Sequence, residues 1–362
     1  MIGNGLTVGV EEEFLLVRED GRLARSGPEV VGASGQPGGQ LQEEITRTQV
    51  ESATTVCTSG EQLREQLSGL RAELAAEAAA RGLRLLPSGT PLLPESESAG
   101  ITPRLRYERI AALFGAVTGV STNCGCHVHV GIPDRATGVE LSNRLRCWLP
   151  VLLALSANSP FVDGFDSGYS SWRYVRWALW PSAGAPPVFE SVAQYDDSVG
   201  EMLRSGAILD RGMVYWDIRL SDKQPTLEFR VGDVAATADE GALFAVVVAG
   251  LVARALADLE RGRPAASPRH EVLRAFLWRA ARDGLAGLCP SPLTGELLSG
   301  DAVLALVGEY VRPVLRDDDI EFVRSVLDRV ARDGGGADRQ RAAYARGRRL
   351  TDVVNALVWP QR

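Results

Sequence analysis

The chain of 362 residues contains a single lysine, Lys223, so arginine provides almost all of its fixed positive charge. A phosphate-binding P-loop ends in Gly-Lys-Ser/Thr, and a protein kinase needs a strand lysine on the phosphates. Neither motif can be built from this sequence. The glycine-rich stretch at residues 32–39 also lacks lysine, and we predict that it is an ordinary loop.

Excess positive charge and a disulfide framework are also absent. The formal net charge of −7 argues against nucleic acid as a partner, and five cysteines in so long a chain do not indicate a disulfide scaffold. Glutamates at residues 11–13 exclude the apolar core of a secretory signal, and the apolar run at 241–253 is shorter than the roughly 20 residues of a membrane span. We expect a cytoplasmic protein that acts on small molecules and has no nucleic acid or membrane partner. Whether it forms a homo-oligomer stays open.

The hydrophobic pattern predicts strands interspersed with helices in the first two thirds of the chain and mainly helices after residue 236. The predicted strands cover residues 6–17, 45–56, 83–86, 125–132, 214–220 and 226–231, and the last two form a hairpin. Ser59 and Gln62 predict the start of a helix, and residues 141–155 predict an apolar helix. This order favours an α+β protein with a mainly antiparallel sheet, and we expect residues 1–362 to form a single catalytic domain.

Three consecutive glutamates interrupt the first predicted strand. Side chains alternate along a strand, so Glu11 and Glu13 share one face while Glu12 points to the other with Val10 and Phe14. Two carboxylates side by side repel each other and are costly to bury unless a cation neutralises them. Oxygen ligands suit Mg²⁺ or Mn²⁺, so the pair is a candidate metal site. A charged edge strand that deters aggregation is the alternative.

A second acidic pair, Glu44 and Glu51, lies at the next predicted strand. A separation of seven residues places the two on opposite faces of an ideal strand. Both can reach one site only if a bulge or a turn intervenes. A solvated surface position for Glu44 is the alternative interpretation.

The segment Cys124-Gly125-Cys126-His127-Val128-His129 has the composition of a zinc site but not its geometry. On a strand the two cysteines face one way and the two histidines the other, so the four side chains cannot surround one tetrahedral ion. We interpret the cysteines as small core residues. The shared face of His127 and His129 makes them candidates for a metal ligand or a phosphate contact.

The last predicted strand carries an apolar face of Leu227, Phe229 and Val231, with Glu228 and Arg230 on the other face. A carboxylate beside a guanidinium is often a plain surface ion pair that contributes little. Beside the other acidic strands we favour a metal ligand next to an anion clamp, because the planar fork of arginine matches phosphate and carboxylate.

Taken in order, these motifs resemble the type 2 glutamate–cysteine ligase family, whose members are also called carboxylate–amine ligases. The stretches that carry the resemblance are Gly-x-Glu-x-Glu at 9–13, Glu44 and Glu51, Gly-Cys-His-Val-His-Val-Gly at 125–131, Trp172-Arg173, and Leu-Glu-Phe-Arg-Val-Gly-Asp at 227–233. The likeness extends over nearly the whole chain, from about residue 7 to 355.

The resemblance implies a glutamine-synthetase-like fold, in which the concave face of an antiparallel sheet binds ATP and Mg²⁺ or Mn²⁺ and helices pack behind it. It implies an ATP-dependent ligase that forms an amide, such as γ-glutamyl-cysteine, through an acyl-phosphate, releasing ADP and phosphate. The implied metal ligands are Glu11, Glu13, Glu44, Glu51, His127 and Glu228. Arg230 and Arg173 would hold the transferring phosphate or the substrate carboxylate, and His129 would lie at the nucleotide.

Two other functions remain as alternatives. One is a zinc-dependent hydrolase that uses the Cys/His strand, and the other is a non-catalytic nucleotide-binding protein of the same fold. The substrates stay open as well, because Ala275, Phe276 and Leu277 stand where the family usually has polar residues.

Overall fold

The computed structural model describes residues 5–33, 40–94, 98–119 and 122–360. The strands are β1 Val8–Val17, β2 Leu41–Glu43, β3 Gln49–Ala53, β4 Arg84–Leu86, β5 Gly125–Gly131, β6 Phe161–Val162, β7 Phe165–Asp166, β8 Ile218–Leu220, β9 Thr226–Asp233, β10 Leu288–Pro290 and β11 Leu297–Ser299. The helices are α1 Gly27–Ala33, α2 Gly60–Ala79, α3 Leu105–Phe114, α4 Ala116–Gly119, α5 Arg135–Leu145, α6 Leu149–Ser156, α7 Trp172–Trp177, α8 Val192–Arg204, α9 Ala238–Glu260, α10 His270–Asp283, α11 Gly300–Val311, α12 Asp317–Asp333, α13 Gly336–Gly347 and α14 Leu350–Leu357.

Seven of these strands form one antiparallel sheet in the order β2-β3-β1-β5-β9-β8, with β4 pairing with the end of β1. The sheet is open, and the two remaining strand pairs, β6–β7 and β10–β11, are small separate hairpins within the described residues. Strands that lie far apart in the chain are therefore neighbours: β1 pairs with β5, and β5 pairs with β9. The expected α+β architecture with a mainly antiparallel sheet is confirmed.

Helices α2 and α9 pack behind the sheet. Helix α2 begins where the sequence predicts, because the hydroxyl of Ser59 accepts a hydrogen bond from the backbone of Gln62. Thr237 caps the start of helix α9 in the same way, and residues 241–253 of that helix are all buried. Although α9 is long and apolar enough to cross a membrane, 72% of its apolar window is buried inside this fold, as expected of a core helix.

Three predicted segments differ from the structure in ways that matter. The strand predicted at 45–56 exists only as β3, because residues 44–48 form the turn of a β2–β3 hairpin. The apolar helix predicted at 141–155 is divided into α5 and α6 by a short 3₁₀ turn at Arg146–Trp148. The predicted loop at 32–39 begins inside α1, and residues 34–39 lie outside the described residues.

Candidate active site

The pairing of four strands places six of the predicted site residues in one row across the sheet. Glu13 of β1 is opposite Glu51 of β3, and Glu11 of β1 is opposite His127 of β5. Side chains opposite each other in an antiparallel pair point to the same face and lie about 5 Å apart at Cβ. The row continues with His129 of β5, which is opposite Glu228 of β9. Residues more than 200 positions apart therefore share one face of the sheet.

Glu13, Glu44 and Glu51 form an acidic cluster at one end of the row, with carboxylate oxygens that all lie within 4.8 Å of one another. The turn after β2 brings Glu44 back beside Glu51, so the sequence prediction that a turn must intervene is confirmed. Burial, together with the charge of Glu44, raises the pKa of Glu13 to about 8. Burial and the surrounding carboxylates also raise the pKa of Glu51 well above its usual range.

Glu11 lies between the two histidines of β5. Its Oε2 is 3.3 Å from His127 Nδ1, and its Oε1 is 3.4 Å from His129 Nε2. Burial would raise the pKa of Glu11, but the contacts with His127 and His129 hold it well below its usual range. Burial and the charge of Arg230 lower the pKa of His127 to about 4, so this imidazole is neutral near pH 7 and can act as a ligand.

Glu11, His129 and Glu228 form a second cluster of donor atoms, again within 4.8 Å of one another. Glu228 is already held by two arginines: Arg219 Nε and Nη2 donate to it at 2.7 and 3.0 Å, and Arg230 Nη1 forms an ion pair with the same carboxylate. Burial would raise the pKa of Glu228, but the charges of Arg230 and Arg219 hold it well below its usual range. Glu228 is therefore an anion whose orientation is fixed by its neighbours.

Arg219 was not among the residues expected from the sequence. It lies directly opposite Glu228 in the β8–β9 hairpin, and its Nη1 also donates to the backbone carbonyls of Gly212 and Val214. The predicted hairpin could have revealed it only with a loop of residues 222–225, because that loop pairs residue 220 with residue 227 and so places residue 219 opposite residue 228. A charged pair in that register is a sequence signal of its own.

Arg173 lies beside the acidic cluster but is almost completely buried, at 2% exposure. Its guanidinium makes long hydrogen bonds of 3.5 and 3.4 Å to the carbonyls of Val231 and Arg230, and it lies 3.9 Å from Asp233. Its Nε has no hydrogen-bond partner among the described residues. Such a cation has bonding capacity left for an anion, and its charge already opposes the rise in the pKa of Glu13.

Neither cysteine of the predicted Cys/His segment belongs to the donor clusters found among the described residues. Cys124 and Cys126 are free, fully buried and packed in apolar clusters, and burial raises the pKa of each thiol well above its usual range. Among the described residues, no cluster of potential metal ligands includes a cysteine. Their interpretation as core residues is confirmed.

The side chains on this face fit divalent cations. Carboxylate oxygens dominate both clusters, and these donors suit Mg²⁺ or Mn²⁺. The Nε2 atoms of His127 and His129 are buried and make no hydrogen bond within the described ranges. Buried polar atoms normally have a bonding partner. A cation between the carboxylates would be that partner for both Nε2 atoms, and it would offset the repulsion within the acidic cluster.

Comparisons with known proteins find similar sequences over almost the whole chain. The chain is 53% identical over 355 residues to a protein of Rhodococcus jostii (strain RHA1) that carries the provisional name glutamate–cysteine ligase 2-1, covering 98% of this chain and 96% of the relative. It is 43% identical over 350 residues to a protein of Saccharopolyspora erythraea with the same provisional name, covering 96% and 93%.

Two solved structures share the fold. The glutamate–cysteine ligase of Francisella tularensis, solved in complex with AMP, superposes with a TM-score of 0.70 at 13% identity over 99% of this chain and 88% of that one. The bifunctional glutathione synthetase of Pasteurella multocida gives a TM-score of 0.70 at 17% identity, covering 97% of this chain but only 51% of that longer protein.

The glutamine-synthetase-like fold and the similarity to these proteins define an ATP-dependent ligase. The sequence profile of glutamate–cysteine ligase family 2 matches residues 7–356, and the chain belongs to that family. The resemblance noted from the motifs is confirmed.

Proposed function

We propose that the protein joins a carboxylic acid to an amine through an acyl-phosphate, with ATP as the phosphoryl donor and ADP and phosphate as products. The observation that carries this proposal is the row of carboxylates and imidazoles on one sheet face, with Arg230 and Arg173 beside it. The family suggests glutamate and cysteine as the substrate pair, with γ-glutamyl-cysteine as the product. The action of residues 1–362 as a single catalytic unit, in the cytoplasm, belongs to the same proposal.

In this proposal two groups of side chains hold divalent cations. Glu13, Glu44 and Glu51 would hold one, while Glu11, His129 and Glu228 would hold another. His127 lies between them, with Nδ1 towards Glu11 and Nε2 3.9 Å from Glu13 Oε1, so it would be shared or would complete either group. When bound, the cations would neutralise charge on the β- and γ-phosphates of ATP and bring them to the substrate carboxylate.

The arginines supply the positive charge that a lysine supplies in a P-loop or a protein kinase. Transfer of a phosphoryl group needs positioning and neutralisation of charge more than it needs a nucleophilic side chain. Arg230 is held beside the site by Glu228 and by the ring of Tyr215, whose centroid is 5.7 Å from the guanidinium carbon. Its Nε makes no hydrogen bond to any described residue, so the guanidinium can still donate to an oxygen of the phosphoryl group.

The reaction then balances in two steps. A carboxylate oxygen of the acid attacks the γ-phosphorus of ATP, and the bond to the β-phosphate oxygen breaks, which releases ADP and leaves an acyl-phosphate. The ammonium form of the amine loses a proton to solvent, and the neutral amine attacks the carbonyl carbon. The bond to the phosphate oxygen then breaks, and the nitrogen gives up a second proton, which the departing phosphate takes, to form the amide. One oxygen of the original carboxylate therefore leaves with inorganic phosphate.

The transfer of that oxygen gives a direct test. Purified protein with ATP and Mg²⁺ is screened for ADP release against amino acids and other carboxylic acids with a panel of amines, and the productive acid is then supplied with an ¹⁸O-labelled carboxylate. We expect one ¹⁸O atom in the inorganic phosphate. Label in AMP, with release of pyrophosphate, would show adenylation instead and overturn the acyl-phosphate route.

Variants of the acidic row connect this chemistry to the site. Glu11→Gln and Glu13→Gln should each abolish ADP release, because each removes a carboxylate ligand from a different cluster. The matched control is Glu77→Gln, which changes a glutamate in a partly exposed helical ion pair with Arg81. Equal activity in all three variants would refute the site assignment. Metal analysis of the purified protein is a separate test, because one tightly bound zinc ion per chain would favour the zinc-dependent hydrolase instead.

A further inference from the structure

Asp233, at the end of β9, is a completely buried carboxylate that receives hydrogen bonds from two separate segments of the chain. Its Oδ2 accepts from the backbone of Asn158 at 2.8 Å and from the hydroxyl of Ser159 at 2.6 Å. Its Oδ1 accepts from the hydroxyl of Ser171 at 2.8 Å. Burial raises the pKa of Asp233, and the charge of Arg173 together with these hydrogen-bond donors opposes that rise and favours the ionised side chain.

These hydrogen bonds converge on Arg173. Ser171 is the N-cap of α7 and accepts from the backbone of Tyr174, while the hydroxyl of Ser159 accepts from the backbone of Arg173 itself. Asp233 thus fixes both the first turn of α7 and the backbone from which the Arg173 side chain extends. The 3.9 Å separation between Asp233 Oδ1 and Arg173 Nη1 adds an electrostatic restraint on the guanidinium.

The far side of the Arg173 guanidinium rests on Gly125. A Cβ atom built at Gly125 would lie 2.8 Å from Arg173 Cζ and would overlap Nη2, so only glycine leaves room for this cation. The backbone nitrogen of Gly125 in turn donates to Glu13 Oε2 at 2.6 Å. Asp233, Arg173, Gly125 and Glu13 therefore form one continuous set of contacts that ends at the acidic cluster.

We propose that Asp233 is a positioning residue that holds the Arg173 cation at a fixed distance from the cluster Glu13, Glu44 and Glu51. The proposal rests on the proposed metal site. Arg173 has two opposing effects there: it can bind an anion that enters the site, and it repels a cation. Asp233 offsets the repulsion and keeps the guanidinium against Gly125, so that a divalent cation and an anion can both be accommodated.

The test is Mn²⁺ binding to the full-length protein without nucleotide, measured from the electron paramagnetic resonance signal of free Mn²⁺. Asp233→Asn should weaken binding by about 3- to 10-fold, because the offsetting charge is lost. Arg173→Gln should strengthen it, because the repelling cation is gone. If Asp233 and Arg173 served only the fold, both Asp233→Asn and Arg173→Gln would bind Mn²⁺ more weakly than the wild-type protein. Asp319→Asn, which changes another buried aspartate with a backbone donor, should leave Mn²⁺ binding unchanged.

A kinetic cycle tests whether Asp233 acts through Arg173. In the ligase assay, kcat should fall by about 10²-fold in Asp233→Asn and in Arg173→Gln, and the double variant should be no slower than Arg173→Gln alone. Ser159→Ala removes two hydrogen bonds of the same set, the one donated to Asp233 and the one accepted from the backbone of Arg173. This variant replaces Asp233→Asn in both measurements if Asp233→Asn does not fold. It should weaken Mn²⁺ binding in the same direction by a smaller factor.

Three outcomes overturn the proposal. Unchanged Mn²⁺ affinity in Asp233→Asn, or weaker binding in both variants, would show that Asp233 serves the fold and not the site. Multiplicative losses of kcat in the double variant would show that the two residues act independently. Absence of Mn²⁺ binding by the wild-type protein would refute the proposed metal site itself, and is distinguishable from the first two.

Discussion

The carboxylate of Glu12 and the guanidinium of Arg71 form a two-pronged ion pair in which both side chains are fully buried, with distances of 2.9 and 2.5 Å. Arg71 comes from α2 and also donates to the carbonyl of Ala235 at 2.9 Å. Glu12 is on the opposite face of β1 from Glu11 and Glu13, as the alternation of the strand predicts. The middle glutamate of the three therefore attaches the sheet to the helix behind it.

The first prediction concerns this pair. Glu12→Gln should destabilise the protein by about 3–5 kcal/mol, because it leaves the buried Arg71 without a counter-charge. Urea unfolding monitored by circular dichroism measures the change. The double variant Glu12→Gln/Arg71→Gln should lose less stability than the sum of the single variants. At temperatures where the variant stays folded, ADP release should be close to wild type, unlike in Glu11→Gln and Glu13→Gln.

The second prediction concerns Arg230. Arg230→Lys should fail almost as badly as Arg230→Ala, with a loss on the order of 10²–10³ in kcat, because an ammonium cannot reproduce two aligned donors beside Glu228. The loss would fall mainly on KM if Arg230 only holds the substrate carboxylate. Arg104→Lys, in an exposed ion pair with Glu43, is the matched control. Near-normal turnover in Arg230→Lys would remove Arg230 from the anion site.

The third prediction concerns Gly125. Gly125→Ala should displace the Arg173 guanidinium and lower kcat by about 10²-fold, because a buried side chain has little space into which to move. Gly9→Ala, in the neighbouring strand of the same sheet, is the control. A Cβ at Gly9 would meet its nearest neighbour, the Cβ of His129, at an ordinary 3.9 Å. Equal kinetic behaviour of the two alanine variants would contradict the role assigned to the close approach.

The fourth prediction concerns pH. Burial raises the pKa of Asp217 to about 7, although a hydrogen bond of 2.9 Å from the hydroxyl of Tyr174 opposes the rise. The folded protein therefore binds this proton more tightly than the unfolded chain. As the pH rises from about 4 to about 7, the contribution of Asp217 to the free energy of unfolding should therefore fall, by at most about 1.4 kcal/mol per pH unit.

Two variants separate Asp217 from other titrating groups. Asp217→Asn should remove its part of the pH dependence, as measured by urea unfolding at several pH values. Tyr174→Phe removes the hydrogen bond that lowers the pKa, so the upper end of the window should move above pH 7. A pH profile that is the same in Asp217→Asn and in the wild-type protein would show that the carboxylate is ionised throughout.

The motifs of the chain identified the residues whose side chains are candidates to bind metal ions and anions. Alternation along β1 was enough to separate Glu11 and Glu13 from Glu12, because the period of a strand is a local property. The same argument correctly placed Cys126 of β5 on the face opposite His127 and His129, whereas Cys124 precedes the strand. Family membership followed from motifs that are contiguous in the chain. Neither inference required knowledge of distant contacts.

What the sequence did not reveal depends on contacts between distant segments. The partner of Glu12 is 59 residues away on a helix, and nothing in the pattern of α2 marks Arg71 as buried. Asp233 and Arg173 were visible as motif residues, but their connection through Ser159, Gly125 and Glu13 required the pairing of β1, β5 and β9 with α7. Strand pairing and close packing join residues by distance in space, and the order of residues along the chain does not fix those distances.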